Sequence, residues 1–329
     1  MSVAPLPDHV HVDVRWTTGG IGRFTANVLP LVRGGGRELD GRMTEGGPGG
    51  QSEMAARFAP LAVRGGILLS PGFAPPFGWE SRSIVTVHDL HYLDVAIASQ
   101  RQRWYFGKVM LRQMRRCRLV LTVSHTSAVQ LRVALGSGGP EVVVVGGGVD
   151  PAFLAVVPDR PQRPPRLLFV GGDKRNKNLA VALQAFASSQ GAGGAALVVV
   201  GATCDATRSS APPGVTFEGA VSERRLAELY ATSTALLMPS IAEGFGLPAL
   251  EAMVAGTPVI YGNRDALPEV VGDLGWPVDP FDERSVAAGI EAAVHEPIAI
   301  TQQQRRELVE RHRWVDVAQR VRDAVESVL

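Results

Sequence analysis

The chain has 329 residues, 45% hydrophobic and 20% charged, with 37 glycines, 23 prolines and a formal net charge of +1. That length predicts two domains with a core each, and the balanced charge gives no argument for a nucleic-acid partner. Cys117 and Cys204 lie far apart and outside any CxxC pair, which argues against a disulfide framework or a zinc site.

No apolar run reaches the roughly 18 residues that span a bilayer. The opening MSVAPLPDHVHVDVRW lacks the charged-then-apolar order of a secretion signal, so a cytoplasmic protein is expected. Along the chain, strands alternate with helices, the pattern of parallel sheets covered on both faces. VHVDVR (10–15) alternates valine with polar residues and leads through WTTGGIGRF into an apolar-periodic helix. Residues 34–50, GGGRELDGRMTEGGPGG, are rich enough in glycine to predict a mobile loop. GILLSPGFAPP and SIVTVHDLHYLD read as two β-rich runs ending in turn residues. RLVLTVSHTSAVQLRVAL repeats the strand-to-helix step, with Ser124 placed as the helix cap. EVVVVGGGVD reads as a buried strand running into glycines.

Five prolines in PAFLAVVPDRPQRPP (151–165) cannot sit inside a helix or a central strand, so the domain linker is expected there. The predicted division is 1–155, 156–310 and a terminal helix, 311–329. The second half restarts the alternation with RLLFVGGDKRNKNLAVALQAF, AALVVVG, VTFEGAVSERRLAELYATS, ALLMPS and PVIYG. Two βα modules joined by a linker predict a cleft between them, with ligands at the carboxyl ends of the strands.

Three stretches carry chemistry. In AEGFGLPALEAM (242–253), Glu243 falls in the loop before a helix that has Pro248 in its first turn, and Glu251 falls about one turn inside it. Both acids can face one ligand, and the GFGL between them can offer backbone N–H groups. Acids that merely favour a helix N-terminus explain the same spacing. In FVGGDKRNKNLA (169–180), Lys174, Arg175 and Lys177 crowd a helix start, where cations oppose the macrodipole unless an anion such as a diphosphate is present. A solvated charged turn is the alternative. TGGIGRF (18–24) is a glycine turn without GxGxxG spacing.

In order and wording these loops resemble the retaining family-four glycosyltransferases (glycosyl transferases group 1), in the subgroup of mannosyl- and polysaccharide-building enzymes. TTGGIGRFTANVL, VTVHDLHYLD, LTVSHTSAVQL, GGGVDPAF and FVGGDKRNKNL each match a segment of that family. The most specific match is LYATSTALLMPSIAEGFGLPALEAMVAGTPVI (229–260), followed by LPEVVGD, and RWVDVAQRVRDAVESVL resembles the terminal helix that crosses back onto the first domain. The resemblance implies an α/β protein of the GT-B fold, with two Rossmann-like parallel-sheet domains facing across a cleft. The N-terminal domain would bind the acceptor and the C-terminal one a nucleotide-sugar donor.

It further implies that Glu251 binds the ribose hydroxyls and that Glu243 holds the donor sugar, with Phe245, Gly246 and Leu247 nearby. Lys177 would neutralise the departing diphosphate, beside Gly171, Gly172 and Arg175. Gly19, Gly20 and Gly22 would bring the first domain's loop against the donor, with His88 reaching the sugar; read alone, His88 and His91 are strand-end histidines. Family members often carry arginine where this chain has Gly172, and either Arg175 or Lys177 with backbone donors would take its place. The implied reaction retains anomeric configuration, uses no metal and no cofactor, and takes a nucleotide-diphosphate hexose as co-substrate. GDP-mannose is favoured, with UDP- and dTDP-sugars as alternatives, and the acceptor is a hydroxyl on a glycan, lipid-linked or natural-product molecule. A catalytically inactive sugar-nucleotide binder and a pyridoxal-dependent phosphorylase are the competing classes. Finally, RQRWYFGKVMLRQMRRCR (101–118) has seven basic residues and no acidic one. It reads as a half-buried helix with a solvated basic face or as a helix contacting the inner face of a membrane.

Overall fold

The computed structural model describes residues 3–16, 19–36, 38–39, 65–156, 158, 164–189 and 194–329. The chain divides into two compact units. The first comprises Met1–Gly148 with His312–Leu329, and the second Val149–Arg311.

The first unit is built on a six-stranded parallel sheet of β1 (Val10–Asp13), β2 (Glu38–Leu39), β3 (Ile67–Ser70), β4 (Ser83–Val87), β5 (Leu119–Thr122) and β6 (Val142–Val144), in the order β2-β1-β3-β4-β5-β6. Both faces are covered, which is why β3, β4 and β5 are buried at every position. In β1 the polar residues that alternate with valine, His11 and Asp13, are buried too. The Asp13 carboxylate is satisfied by a two-bond fork from Arg15 Nε and Nη2, both at 2.8 Å. The stretch from residue 34 departs from the expected loop. Gly34 and Gly36 pack so tightly that a Cβ would fall 1.8 Å from Leu6 O and 1.9 Å from Val10 O, and Glu38–Leu39 pairs with β1. Here glycine permits close backbone approach, and the pairing competes successfully with loop composition. Residues 37 and 40–50 of that stretch lie outside the described residues.

The helix Trp314–Glu326 packs on the helix Gly19–Val32 within this unit. Arg320 Nε donates to Val145 O at 2.7 Å, and the Trp314 ring lies over Gly148.

The second unit has its own six-stranded parallel sheet: β7 (Arg166–Val170), β8 (Ala196–Val200), β9 (Val215–Gly219), β10 (Ala235–Met238), β11 (Val259–Gly262) and β12 (Gly275–Val278), in the order β12-β11-β10-β7-β8-β9. The strand order reverses between β7 and β10, the place where doubly wound sheets bind ligands. The core on one face joins Leu167 and Phe169 of β7 to Leu179, Leu183 and Phe186 of the following helix and to Val286 and Ile290. The chain enters this unit at Val149, ahead of the expected boundary after residue 155. The reason is local: the short helix Ala152–Ala155 sets Phe153 against Tyr230, and Arg305 Nη2 donates to Leu154 O and Val156 O. Residues 157 and 159–163 of the proline-rich stretch lie outside the described residues.

A Cβ on Gly148 would fall 2.3 Å from the Trp314 ring. Gly148→Ala should therefore destabilise the protein by about 1–3 kcal/mol through overpacking. In a Trp314→Leu background the added cost should largely vanish, as read by chemical denaturation of the four proteins of the cycle.

Candidate active site

The site in the second unit is made by the loops that follow β7 and β10 on either side of the strand-order reversal. After β7 the chain turns through Gly171 (φ 144°) and Gly172 (φ 61°). A Cβ on Gly172 would sit 2.0 Å from Ala202 O, so a side chain of any kind is excluded there, arginine included. Gly171 in turn lets the Lys177 stem cross it, since a Cβ would meet Lys177 Cγ at 2.8 Å. A 3₁₀ turn, Arg175–Lys177, precedes the helix Leu179–Ser188.

Lys177 is turned inward and Arg175 is exposed. Lys177 Nζ donates to Glu243 Oε1 at 2.6 Å, with both side chains almost buried. The cation at this helix start thus has a carboxylate for its anion. Two asparagines flank Lys177 and fix its loop to the other one. Asn176 Nδ2 donates to Ala242 O, Ile241 N to Asn176 O, and Asn178 Nδ2 to Pro239 O and Pro280 O. Asn178 has φ 62°, a left-handed conformation that asparagine tolerates better than most residues.

After β10 the chain is buried continuously from Pro239 to Gly246. Gly246, at φ 94°, turns it into the helix Leu247–Val254, whose second residue is Pro248. Phe245, Gly246 and Leu247 thus form the helix entry, where backbone donors point back along the axis. Glu251 lies inside that helix at 3% exposure and accepts from the Tyr230 hydroxyl at 3.3 Å. A carboxylate that deep needs hydrogen-bonding partners. Among the described residues, Ser240 Oγ, buried in the same loop, has no hydrogen-bond partner.

Gly171, Gly172, Lys177, Glu243, Phe245, Gly246, Leu247 and Glu251 therefore gather at one edge of the second sheet, and Arg175 stays outside. Sequence reasoning missed Asn176, Asn178, Tyr230 and Ser240. The asparagines flanking Lys177 were a readable signal, because Asn is the ordinary side chain able to hold a left-handed corner. Tyr230 and Ser240 gave none.

In the first unit, Gly19 (φ 63°), Gly20 and Gly22 lie in the first turn of the helix Gly19–Val32. The glycine turn is therefore already helical. A Cβ on Gly20 would meet nothing within 4 Å. Thr17 and Thr18 lie outside the described residues. Phe24 of that helix meets the His88 ring edge-on at 5.4 Å, and His88 Nε2 lies 3.0 Å from Pro71 O. Burial lowers the His88 pKa from its usual value, while the Pro71 carbonyl and Asp89 oppose that shift. The ring is thus neutral, with Nε2–H donated to Pro71 and Nδ1 as acceptor. Asp89 pairs with His91 Nδ1. Although burial disfavours its charged form, the charge and hydrogen bonds of His91 hold the Asp89 carboxyl below its usual range. Just past β1, Trp16 Nε1 is buried with no hydrogen-bond partner among the described residues, beside Gly72 just past β3.

A scan against family models matches residues 154–314 to glycosyl transferases group 1. That segment, just under half of the chain, is similar to the group 1 glycosyltransferase domain. O-antigen chain mannosyltransferase B of Escherichia coli is 46% identical over 76 residues, 23% of this chain and 20% of that one. The O-antigen chain mannosyltransferase RfbU of Salmonella typhimurium is 29% identical over 231 residues, 66% of this chain and 62% of that one. The chain thus covers less than two thirds of each of these relatives. Among solved structures, Anabaena HepE, in complex with UDP and glucose, aligns over 97% of this chain and 99% of its own at TM-score 0.71 and 15% identity. The lipopolysaccharide outer core galactosyltransferase WaaB, in its apo form, aligns over the same shares at TM-score 0.67 and 14% identity. At that identity the likeness establishes the fold, which is GT-B. Among the described residues no three of His, Cys, Asp and Glu are grouped to hold a metal ion, and no helix is long and apolar enough to cross a membrane.

Asn178→Ala should cost about 2–4 kcal/mol, from two lost hydrogen bonds and a left-handed alanine. Asn178→Gly should recover about 1 kcal/mol of that, the left-handed share alone, by the same denaturation measurement. For His88 the sign follows from its lowered pKa. Its contribution to stability is complete above the unfolded value near 6.5 and is lost as pH falls through the lower folded value. An NMR titration of the ring should give a midpoint below 6.5.

Proposed function

We propose that the protein is a retaining, metal-independent glycosyltransferase that moves a hexose from a nucleotide-diphosphate sugar to an acceptor hydroxyl in polysaccharide or glycoconjugate biosynthesis. The observation that carries this reading is the buried Lys177–Glu243 pair over the Gly171–Gly172 turn, with Glu251 one element away at the same sheet edge. The glycine turn admits a diphosphate, and Lys177 supplies the cation that meets negative charge as the bond to the anomeric carbon breaks. Glu251, oriented by Tyr230, can accept two ribose hydroxyl protons. Glu243 accepts from sugar hydroxyls and stabilises positive charge on an oxocarbenium-like ring. Lys177 fills the role that an arginine at position 172 plays in many family members, because backbone geometry forbids a side chain there.

We assign the acceptor to the first unit, at the carboxyl edge of its sheet, where neutral His88 presents a hydrogen-bond acceptor. The donor preference for GDP-mannose rests on the mannosyltransferase relatives. The route is a front-face one, in which the departing phosphate oxygen helps take the acceptor proton. No cofactor takes part, and the nucleotide sugar is a co-substrate.

Nucleotide release assayed with GDP-, UDP- and dTDP-hexoses tests the reading. The parent protein should turn over, fastest with GDP-mannose, and chelator should leave the rate unchanged. Lys177→Ala should lower kcat by on the order of 10²–10³, from about 2.7–4 kcal/mol of lost stabilisation. Glu251→Gln should raise the donor KM more than it lowers kcat. Donor binding without turnover would favour the inactive-binder reading, and a glycosyl adduct trapped on Glu243 would replace the front-face route with a covalent one.

A further inference from the structure

Residues 95–140 contain eight of the chain's 33 Lys and Arg and none of its 32 Asp and Glu, which leaves 25 cations against 32 anions elsewhere. A chain that is almost neutral overall is therefore strongly polarised. The structure shows where the charge goes. The helical run from Gln100 to Met114, interrupted by a π turn at Phe106–Met110, buries Phe106, Met110, Leu111 and Met114 in the first unit's core. Arg101, Trp104, Lys108, Arg112 and, just beyond the run, Arg115 and Arg116 recur every three or four positions on its exposed side.

Beside it, the helix His125–Leu135 buries Ala128, Leu131 and Leu135 in the same core. Its Val129 and Val133 point outward at 58% and 79% exposure, and Trp104 is 62% exposed. The two helices are joined where Arg115 Nη2 donates to Ala134 O at 3.2 Å. Arg103 and Arg132 likewise donate to main-chain carbonyls, which are neutral partners. Acids bordering this surface include Glu80, which accepts from Gln113, Asp94, which caps Ala96, and exposed Glu141, next to the Val142 carbonyl that accepts from Arg132.

We propose that this paired-helix face docks on an anionic lipid surface, with Lys108, Arg112 and Arg116 at the headgroups and Trp104, Val129 and Val133 against the acyl boundary. Charge complementarity selects an anionic partner. The exposed tryptophan and valines favour lipid over a nucleic acid, whose backbone is held by cations and polar groups. A surface adapted only to water would intersperse both signs and leave fewer large apolar side chains outside.

Co-sedimentation of the full chain with phosphatidylcholine vesicles, with and without phosphatidylglycerol, tests this. The parent should sediment only with the anionic vesicles and be released by salt. Lys108, Arg112 and Arg116 changed together to Gln should weaken binding by about fivefold per charge removed, and Trp104→Ser should weaken it further, with thermal midpoints unchanged. The inference is independent of the donor reading, so Lys177→Ala should sediment as the parent does. Failure of the parent to bind anionic vesicles would overturn it. So would undiminished binding by the triple variant, or preference for single-stranded RNA when RNA and vesicles compete.

Discussion

The second unit's ligand edge depends on one ion pair between two loops. Lys177 and Glu243 come from turns 66 residues apart in sequence, and both side chains are almost out of water. Such a pair gains little net stability over an apolar one, but losing either partner leaves a buried charge uncompensated. Its geometry therefore cannot be left to chance, and it is not. Asn176 and Asn178 tie the same two turns through the backbone on each side of the lysine. The result is a preset cation and carboxylate at the reversal point of a parallel sheet, next to a glycine corner with no room for a side chain.

The corresponding edge of the first unit carries different groups. Its conspicuous groups are a neutral His88, an Asp89–His91 pair and a buried Asp13–Arg15 fork. Neutrality follows from burial, which outweighs the opposing pull of the Pro71 carbonyl and Asp89, while the Pro71 carbonyl fixes the tautomer. An uncharged acceptor atom suits hydroxyl recognition, whereas the second unit's cation suits a leaving phosphate. The charge asymmetry of the whole chain adds a third feature on a separate surface of the first unit.

Much of this was legible in the residues. Apolar runs ending in glycine or polar residues marked β3, β5, β7, β8 and β10, because parallel strands buried on both faces are apolar nearly throughout. Pro248 and the glycines around Glu243 marked the turn into the helix Leu247–Val254. β1 alternates valine with polar residues, and its Asp13 finds Arg15 two positions on and stays buried. Where the reading differed, a tertiary contact had overridden local composition. The glycine run after residue 33 read as too flexible to pack, whereas Gly34 and Gly36 are what let that backbone lie against β1. Arg175 and Lys177 were equivalent in composition. Only the 3₁₀ turn and the αL corner at Asn178 decide which one faces Glu243.

The central claim is that Lys177 and the Gly171–Gly172 corner receive a diphosphate whose ribose rests on Glu251. A crystal structure of the chain in complex with GDP tests it most directly. The account predicts the β-phosphate within hydrogen-bond distance of Lys177 Nζ and of the corner's backbone, with both ribose hydroxyls on Glu251. A nucleotide seated elsewhere, with Lys177 still closed on Glu243, would contradict it.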